Sequence, residues 1–385
     1  MVLAPDSFGG ALDSVAVAAA VKAGWSRVRP DDEIVQRPMA DGGEGTLAAV
    51  AAALGDAAEL REVETTDALG RPVTAGWLLL DGGRGGFIEM ASASGLAWLP
   101  PGERTPENAR RASTRGTGDL VSAALDAGVE RITIGLGGSA TTDGGTGLLR
   151  ALGIRLLDAS GSELADGGAA LARLDRLDAA GLDPRVATSR IVIASDVSNP
   201  LCGPRGAAAT YGPQKGADPA AVAELDAALA RWGNAIETAT GRLVADLPGA
   251  GAAGGTTAGL LGFTSALVRP GVEVVAELVG LADALESADL VITGEGRADE
   301  QTLLGKTAIG VATLAAPRRT PVVLLCGGLG PGAEALDAAT TLTVVQPIGD
   351  RPMELAEAMA DTERLLIAAA GRLARTVGIG LQLAR

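Results

Sequence analysis

Short apolar runs alternate with glycine-rich polar loops along most of this chain. Residues 191–194, Ile-Val-Ile-Ala, form one such run, and Asp196 stands two residues beyond it. A short, fully apolar run bounded by loop residues is typical of a strand buried on both faces of a parallel sheet. The pattern predicts an α/β fold with loops leaving the carboxyl ends of the strands, where ligands bind in open sheets of this class.

The same pattern recurs at both ends of the chain. Further apolar runs that predict strands lie at residues 1–4, 33–38, 131–134, 289–293, 322–326 and 342–345. Residues 58–91 differ, because alternating runs there are joined by turn signals such as Leu69-Gly70-Arg71-Pro72. This change of character predicts a domain boundary near residue 60.

The composition narrows the chemistry that these loops can carry. The 385 residues are 47% hydrophobic but only 2% aromatic, so a large core must be built from aliphatic side chains. A formal charge of −15 disfavours nucleic acid as a partner, because the field of the protein repels phosphates. The chain has no histidine, which excludes Ser-His-Asp triads and His-ligated metal sites. Any metal must be held by oxygen ligands, which favours Mg²⁺.

Cysteine usage and hydropathy predict a cytoplasmic protein without a membrane span. Cys202 and Cys326 match no zinc or redox spacing, which indicates a reducing compartment. The first apolar run breaks at Pro5, so no signal peptide is expected. Residues 247–268 carry no charge, but their six glycines and four Ser or Thr residues make a poor membrane span.

Residues 195–217 hold the first candidate anion site. This loop has four glycines and carries Arg205 and Lys215. Glycines let backbone amides approach an anion, and the two cations add charge-assisted bonds. Only three of the 32 basic residues are lysines, and Lys215 and Lys306 both lie in glycine-rich loops, which favours phosphate or carboxylate binding. The alternative is that Lys215 is a solvated loop residue.

Residues 135–147 hold the second, with six glycines in 13 residues between a predicted strand and a helix. The backbone amides of this loop and the N-terminus of the helix predict a phosphate cradle. The alternative is that Asp143 only caps the helix.

Two groups of acidic residues also follow predicted strands. Glu295, Arg297 and Asp299 form a set that suits magnesium ligation or substrate clamping, unless they make a self-satisfied ion-pair turn. Asp41 and Glu44 stand in the equivalent place after the second strand, where the alternative is capping of the next helix.

The tripeptide Gly305-Lys306-Thr307 is not a Walker A motif, because Glu300 stands where that motif needs its first glycine. Lys306 therefore either touches a phosphate or lies in a first helical turn. Glycine loops at strand ends, two lysines among them, several carboxylates and no histidine together favour magnesium-dependent phosphoryl transfer.

Six motifs in the same order give the chain a family resemblance over residues 2–375. They are Pro5 to Phe8, Pro38 to Thr46, Ile88 to Ala91, Gly135 to Gly147, Asp196 to Ala217 and Thr293 to Lys306. In these the chain resembles the bacterial type 1 glycerate kinases, which phosphorylate D-glycerate with ATP and Mg²⁺, mostly to 2-phosphoglycerate. The resemblance implies two α/β lobes with the active site in the cleft. A Rossmann-like lobe would comprise residues 1–65 and 286–385, and an inserted flavodoxin-like lobe residues 66–285.

The resemblance and the residues together give each candidate a role. We expect Asp196 to orient or deprotonate the attacking hydroxyl, Lys215 to neutralise the triphosphate and Arg297 to hold the substrate, all three being catalytic. The remaining candidates are substrate-binding Asp6, Ser7, Asp41 and Glu295, nucleotide-binding Gly137, Gly138, Ser139, Gly144 and Lys306, and metal-binding Asp299 and Asp41. The expected partners are glycerate and ATP, with no nucleic acid and no membrane, in a monomer or homodimer.

One departure from the family pattern bears on the substrate. Gly9 stands where the family usually has a lysine that can meet the glycerate carboxylate. Either another cation such as Arg297 replaces it, or the preference has shifted to a related acid such as L-glycerate or erythronate. A non-catalytic protein that only binds a hydroxy acid is the remaining alternative.

Overall fold

A computed structural model describes residues 1–304, 306–338 and 344–383 of the chain. Helices and strands alternate over most of this length, as the apolar pattern predicts. The strands, in chain order, are β1 (Val2–Leu3), β2 (Val35–Gln36), β3 (Glu59–Thr66), β4 (Pro72–Leu80), β5 (Gly85–Glu89), β6 (Arg131–Gly135), β7 (Arg155–Leu157), β8 (Arg176–Asp178), β9 (Arg190–Ala194), β10 (Leu267–Arg269), β11 (Val291–Ala298), β12 (Val322–Leu329) and β13 (Val344–Pro347).

The helices fill the intervals between the strands. They are α1 (Ser14–Ser26), α2 (Thr46–Leu54), α3 (Ala91–Ser94), α4 (Pro106–Arg111), α5 (Arg115–Asp126), α6 (Thr146–Ala151), α7 (Arg185–Thr188), α8 (Ala207–Tyr211), α9 (Pro219–Thr240), α10 (Ala252–Phe263), α11 (Gly271–Leu278), α12 (Leu281–Leu285), α13 (Thr307–Ala315), α14 (Leu355–Ala360) and α15 (Thr362–Leu383). Asp13 caps α1 by accepting the amide of Ala16 at 2.8 Å.

Contacts between residues divide the chain into two units. The first comprises residues 1–41, 48–55 and 272–385, and the second residues 42–47 and 56–271. These divisions fall earlier in the chain than the expected domain boundaries at 65/66 and 285/286. Strand β3, which begins at Glu59, belongs to the second unit, and helix α11 lies almost wholly in the first.

The first unit is built on a parallel five-stranded sheet in the order β13-β12-β11-β1-β2. Strand β1 pairs with β11 and with β2, so both ends of the chain contribute to one sheet. Helices α1 and α15 bury an aliphatic core against the sheet around Trp25, Leu366 and Ala370. The helices and parallel strands of this unit confirm the predicted α/β fold class.

The second unit is built on a six-stranded sheet in the order β10-β9-β6-β5-β4-β3. Strands β10, β9, β6 and β5 are parallel, and β4 and β3 are antiparallel additions. Residues 59–89 thus form three strands joined by turns, which explains their distinct sequence pattern. Trp232 of α9 and Phe87 of β5 are both fully buried in this unit.

Most of the uncharged segment 247–268 belongs to this core. Helix α10 begins at Ala252, and ten of its 12 residues are buried. Among the residues that the structure describes, no helix combines the length and the apolar character needed to cross a membrane.

Candidate active site

Asp6, in the loop after β1, lies beside Glu295 of the adjacent strand β11 in the first unit. Strands β1 and β11 run parallel with Leu3 opposite Ile292, and the amide of Asp6 continues this register by donating to the carbonyl of Gly294 at 2.9 Å. The two carboxylates therefore reach the carboxyl edge of the sheet side by side. Adjacent strands lie about 4.8 Å apart, which brings the side chains within reach of one small ligand. We call Asp6, Glu295 and the nearby Asp299 the acid edge.

Two threonine hydroxyls hold the acids of this edge. The Thr307 hydroxyl donates to Oδ2 of Asp6, and the Ser7 amide donates to Oδ1 at 2.6 Å. The Thr302 hydroxyl donates to Oε1 of Glu295 at 2.8 Å. Burial raises the pKa of Asp6 and of Glu295, whereas these hydrogen bonds lower both pKa values.

Arg297, Asp299 and Lys306 form a loose group beside these acids. Nε of Arg297 lies 3.5 Å from Asp299, and Nζ of Lys306 lies 4.0 Å from the same carboxylate. The side chains of Arg297 and Lys306 are 63% and 45% exposed. Both cations can therefore still reach a ligand, and the self-satisfied ion-pair turn does not describe this group. A methyl group at Gly330 would lie 2.4 Å from Nε of Arg297 and 2.8 Å from Cβ of Asp299, so the backbone of Gly330 packs closely against this group.

The remaining candidates of the first unit lie on its surface. Ser7 and Asp41 are exposed, and Asp41 lies close enough to Asp6 to raise the pKa of its carboxyl. Lys306 immediately precedes α13, while Gly305 lies outside the described residues.

The second unit gathers its candidates at the carboxyl edge of its own sheet. Glu89 of β5 lies opposite Gly135 of β6, and Gly135 lies opposite Ala194 of β9. The glycine loop, residues 135–147, therefore starts beside the strand that leads to Asp196. Asp196 is exposed and accepts the amide of Gly271 at 3.0 Å.

Lys215 is buried beneath the glycine loop rather than solvated. Its side chain is fully buried, with the residue 2% exposed, and Nζ donates to Oγ of Ser139 at 3.0 Å and to the carbonyl of Thr141 at 2.6 Å. Burial lowers the pKa of Lys215 to about 7, and the charge of Asp143 opposes that shift. The alternative of a solvated lysine is therefore wrong.

The carboxylate of Asp143 lies at the N-terminus of α6, where the sequence predicts a phosphate. Its carboxylate accepts the amide and hydroxyl of Thr114, each at 2.9 Å, and the amides of Gly145 and Gly147, each at 3.1 Å. Asp143 is fully buried, and burial raises its pKa. The start of α6 is thus neutralised within the protein, and the capping alternative describes it correctly.

The glycines of the loop divide into two kinds. The amide of Gly144 donates a hydrogen bond to the carbonyl of Gly254, and its carbonyl accepts one from Nε1 of Trp232. Gly144 therefore faces the core, and it does not make the contact with a nucleotide that we expected from the sequence. Gly137 donates to the carbonyl of Gly42, and a methyl group there would lie 2.3 Å from Cα of Gly43. Gly138, with φ +72°, and Ser139 follow at the strand end. They remain the part of the loop suited to a ligand.

Sequence reasoning missed Glu89, Thr302 and Thr307. Glu89 is buried and accepts the amides of Gly45 and Leu47 at 3.2 and 2.8 Å, the place that the capping alternative gives to Asp41. Glu89 ends an apolar strand, and this signal is present in the sequence. The two threonines have no such signal, because their hydroxyls matter only through folded neighbours.

The predicted magnesium site is supported by the presence of carboxylate ligands but not by a cluster of them. Within residues 1–304, 306–338 and 344–383, no three His, Cys, Asp or Glu side chains are arranged to hold a metal. Mg²⁺ is commonly bound by one or two carboxylates together with substrate phosphates, and Asp299 and Asp41 can supply those.

Comparisons with known proteins give matches over most of the chain. Residues 1–378 match the model of the glycerate kinase family. The chain is 44% identical to a glycerate kinase of Halalkalibacterium halodurans over 97% of both chains, and 44% identical to the glycerate 2-kinase of Escherichia coli K12 over 86% of this chain and 85% of that one. A crystal structure assigned to glycerate kinase 2 of Salmonella typhimurium LT2 superposes with a TM-score of 0.86, at 43% identity, over 99% of this chain and 98% of the other.

Proposed function

We propose, from the premise that the chain belongs to the glycerate kinase family, that it transfers the γ-phosphoryl group of ATP to the 2-hydroxyl of D-glycerate. Membership makes the protein a phosphotransferase. The choice of D-glycerate and of 2-phosphoglycerate as product is our proposal, and the glycerate 2-kinase among its relatives supports it. The observation that carries it is the acid edge, where the half-buried Asp6 and the buried Glu295 stand side by side with exposed cations nearby.

The acid edge suits a small hydroxy acid. Asp6 and Glu295 can accept hydrogen bonds from hydroxyl groups, and Ser7 adds a hydroxyl of its own. Arg297 offers the planar fork that binds a carboxylate with two bonds. We propose that Arg297 takes the carboxylate of the substrate, in place of the lysine that Gly9 replaces.

The phosphoryl transfer needs a base and a place for the nucleotide. We propose that Asp196 accepts the proton of the attacking hydroxyl, while the oxygen forms its bond to the γ-phosphorus and the bond to the β-phosphate oxygen breaks, releasing ADP. Gly137, Gly138 and Ser139 would line the phosphates, and Lys306 would add a charge. Lys215 would act through the loop that it holds.

Mg²⁺, held by Asp299 and Asp41 together with the nucleotide phosphates, would neutralise charge that builds up on the transferred group. The protein residues position the two substrates, and this positioning is the main contribution that a kinase makes.

The first test identifies the product. Purified protein incubated with D-glycerate, ATP and Mg²⁺ should release ADP and give one phosphorus resonance, that of 2-phosphoglycerate. Omitting glycerate is the control for background hydrolysis of ATP. A 3-phosphoglycerate signal would refute the proposed position of transfer, and the absence of any phosphorylated acid would refute the kinase reaction.

Because Gly9 replaces the usual lysine, a related hydroxy acid is the second candidate substrate. Gly9 is exposed, and a Cβ placed there would meet no heavy atom within 4 Å, so packing at that point does not require a glycine. A panel containing L-glycerate and erythronate in the same ADP assay separates a shifted preference from the proposed one. Binding of glycerate without release of ADP would favour the non-catalytic alternative.

The second test concerns Asp196. Asp196→Asn keeps an oxygen for the Gly271 amide but removes the base, so kcat should fall by about 10²–10⁴-fold with the fold intact. Asp226→Asn is the matched control, because Asp226 also accepts one backbone amide, that of Gly203 at 2.9 Å, in the same unit. Near-normal turnover of Asp196→Asn would exclude Asp196 as the base.

A further inference from the structure

Asp6 and Glu295 lie beside each other at the acid edge, and each carries carboxylate oxygens that can accept hydrogen bonds. We propose that these two carboxylates form a paired site that recognises vicinal hydroxyls, and that Thr307 and Thr302 are its positioning residues. This inference rests on the proposed function, because it concerns how the same substrate is selected.

The spacing of the strands supports the pairing. The register of β1 and β11 places Asp6 beside Glu295, and parallel strands present side chains at matching positions on the same face. Each carboxylate has acceptor capacity beyond the bonds it already makes, since an ionised carboxylate offers about four lone-pair sites. Two acceptors one strand apart match hydroxyl groups on neighbouring carbons.

The two threonines fix the direction in which those acceptors point. Thr307 is 3% exposed and Thr302 is fully buried, so neither hydroxyl is itself available to bulk solvent. The Thr302 hydroxyl has a double role, because it donates to Glu295 and accepts the amide of Asp299 at 3.1 Å. Thr307 begins α13, whose contacts with β11 anchor the hydroxyl that meets Asp6.

This arrangement predicts a selectivity that follows from the number of hydrogen bonds each acid can make. A site built to bind a hydroxyl group rejects an analogue without it strongly, because buried polar groups are then left unpaired. D-Lactate lacks the 3-hydroxyl of glycerate and 3-hydroxypropionate lacks the 2-hydroxyl. Each should therefore leave one carboxylate of the pair without its partner.

The experiment measures binding by calorimetry and does not require turnover. The wild-type protein should bind D-glycerate at least about 100-fold more tightly than either single-hydroxyl acid. Thr302→Val and Thr307→Val should each weaken D-glycerate binding by about tenfold or more and weaken binding of at least one single-hydroxyl acid much less, so that selectivity falls. Thr302→Ser and Thr307→Ser, which retain the hydroxyl, should bind like the wild type.

Thr293→Val is the matched control. Thr293 is buried in β11, but its hydroxyl donates to the carbonyl of Ala4 at 2.9 Å and not to a carboxylate. This variant should keep both the affinity and the selectivity of the wild type.

Three results would overturn the inference. Equal wild-type affinity for glycerate and the single-hydroxyl acids would show that no hydroxyl pair is recognised. Equal losses for all three acids in the Val variants would reduce the threonines to support of the fold. Loss of D-glycerate binding in the Ser variants would show that the methyl group of the threonine, and not its hydroxyl, supports binding. This result tests the inference even where a Val variant does not fold. If the wild type binds none of the acids, the proposed function itself fails. This result differs from the three above, in which glycerate still binds to the wild type.

Discussion

Two carboxylates of this protein, Glu295 within β11 and Asp143 in the loop before α6, are buried in different units but have opposite surroundings. The side chain of Glu295 accepts one hydroxyl hydrogen bond, from Thr302. Asp143 accepts four hydrogen bonds from the backbone and a hydroxyl around it. The difference indicates which acid is available to a ligand, because a carboxylate whose acceptor sites are filled by its own loop has little capacity for another partner.

The same comparison applies to the cations. Arg297 is 63% exposed and approaches Asp299 only at 3.5 Å, whereas Lys215 is buried and bonded to two groups of the glycine loop. A charge on a partly exposed side chain can move toward a ligand. A buried ammonium group with fixed partners instead determines the shape of the loop that holds it.

The largest expected effect is a loss of stability on removing the Asp143 carboxylate. Asp143→Ala leaves four buried donors without an acceptor, and it should lower the free energy of unfolding by about 3–5 kcal/mol. Asp143→Asn should lose less, because its amide oxygen remains an acceptor. Urea denaturation gives the loss, and hydrogen exchange at Thr114, Gly145 and Gly147 should show that it starts there.

Asp158→Ala is the control for this prediction. Asp158 accepts two amides and a hydroxyl from Ser160 and Ser162, but it does so on the surface, where water replaces the lost acceptor. Its loss should be about 1 kcal/mol or less. Similar losses at the two positions would contradict the view that Asp143 is the buried structural member of the comparison.

The sequence predicts the fold better than it predicts this difference. Apolar runs such as residues 191–194 mark parallel strands because both faces of those strands are buried. The same feature places Asp196 after the end of β9 and Glu295 in the carboxyl half of β11. Whether an acid in such a loop faces a ligand or accepts hydrogen bonds from its own backbone depends on the path of the loop. The residue types around Asp143 do not predict that path.

The lysines show the same limit in a different way. Their position in glycine-rich loops correctly marks Lys215 as unusual, but it does not distinguish a phosphate contact from a buried support. That distinction depends on Ser139 and Thr141, which lie 76 and 74 residues away in the chain. Local patterns predict local structure, and contacts over such separations require the fold.

The smaller expected effect is a pH dependence of stability that belongs to Lys215. Its pKa is about 7 in the folded protein and 10.5 ordinarily, so between these values the unfolded chain binds more protons than the folded one. The unfolding free energy contributed by Lys215 is therefore fully present above pH 10.5 and is lost as the pH falls toward 7. Its slope can reach about 1.4 kcal/mol per pH unit.

Comparison of the wild type with Lys215→Met over pH 7.5–9.5, about the middle of that interval, isolates this contribution. The wild-type unfolding free energy should rise with pH relative to the variant. Cys202 and Cys326, whose pKa values burial raises to about 12, act with the opposite sign but are the same in both proteins and cancel. Exposed Lys22, changed to Met, should leave the wild-type slope unaltered. Parallel curves for the wild type and Lys215→Met would mean that Lys215 stays charged in the folded protein, and the contrast with Arg297 would then rest on exposure alone.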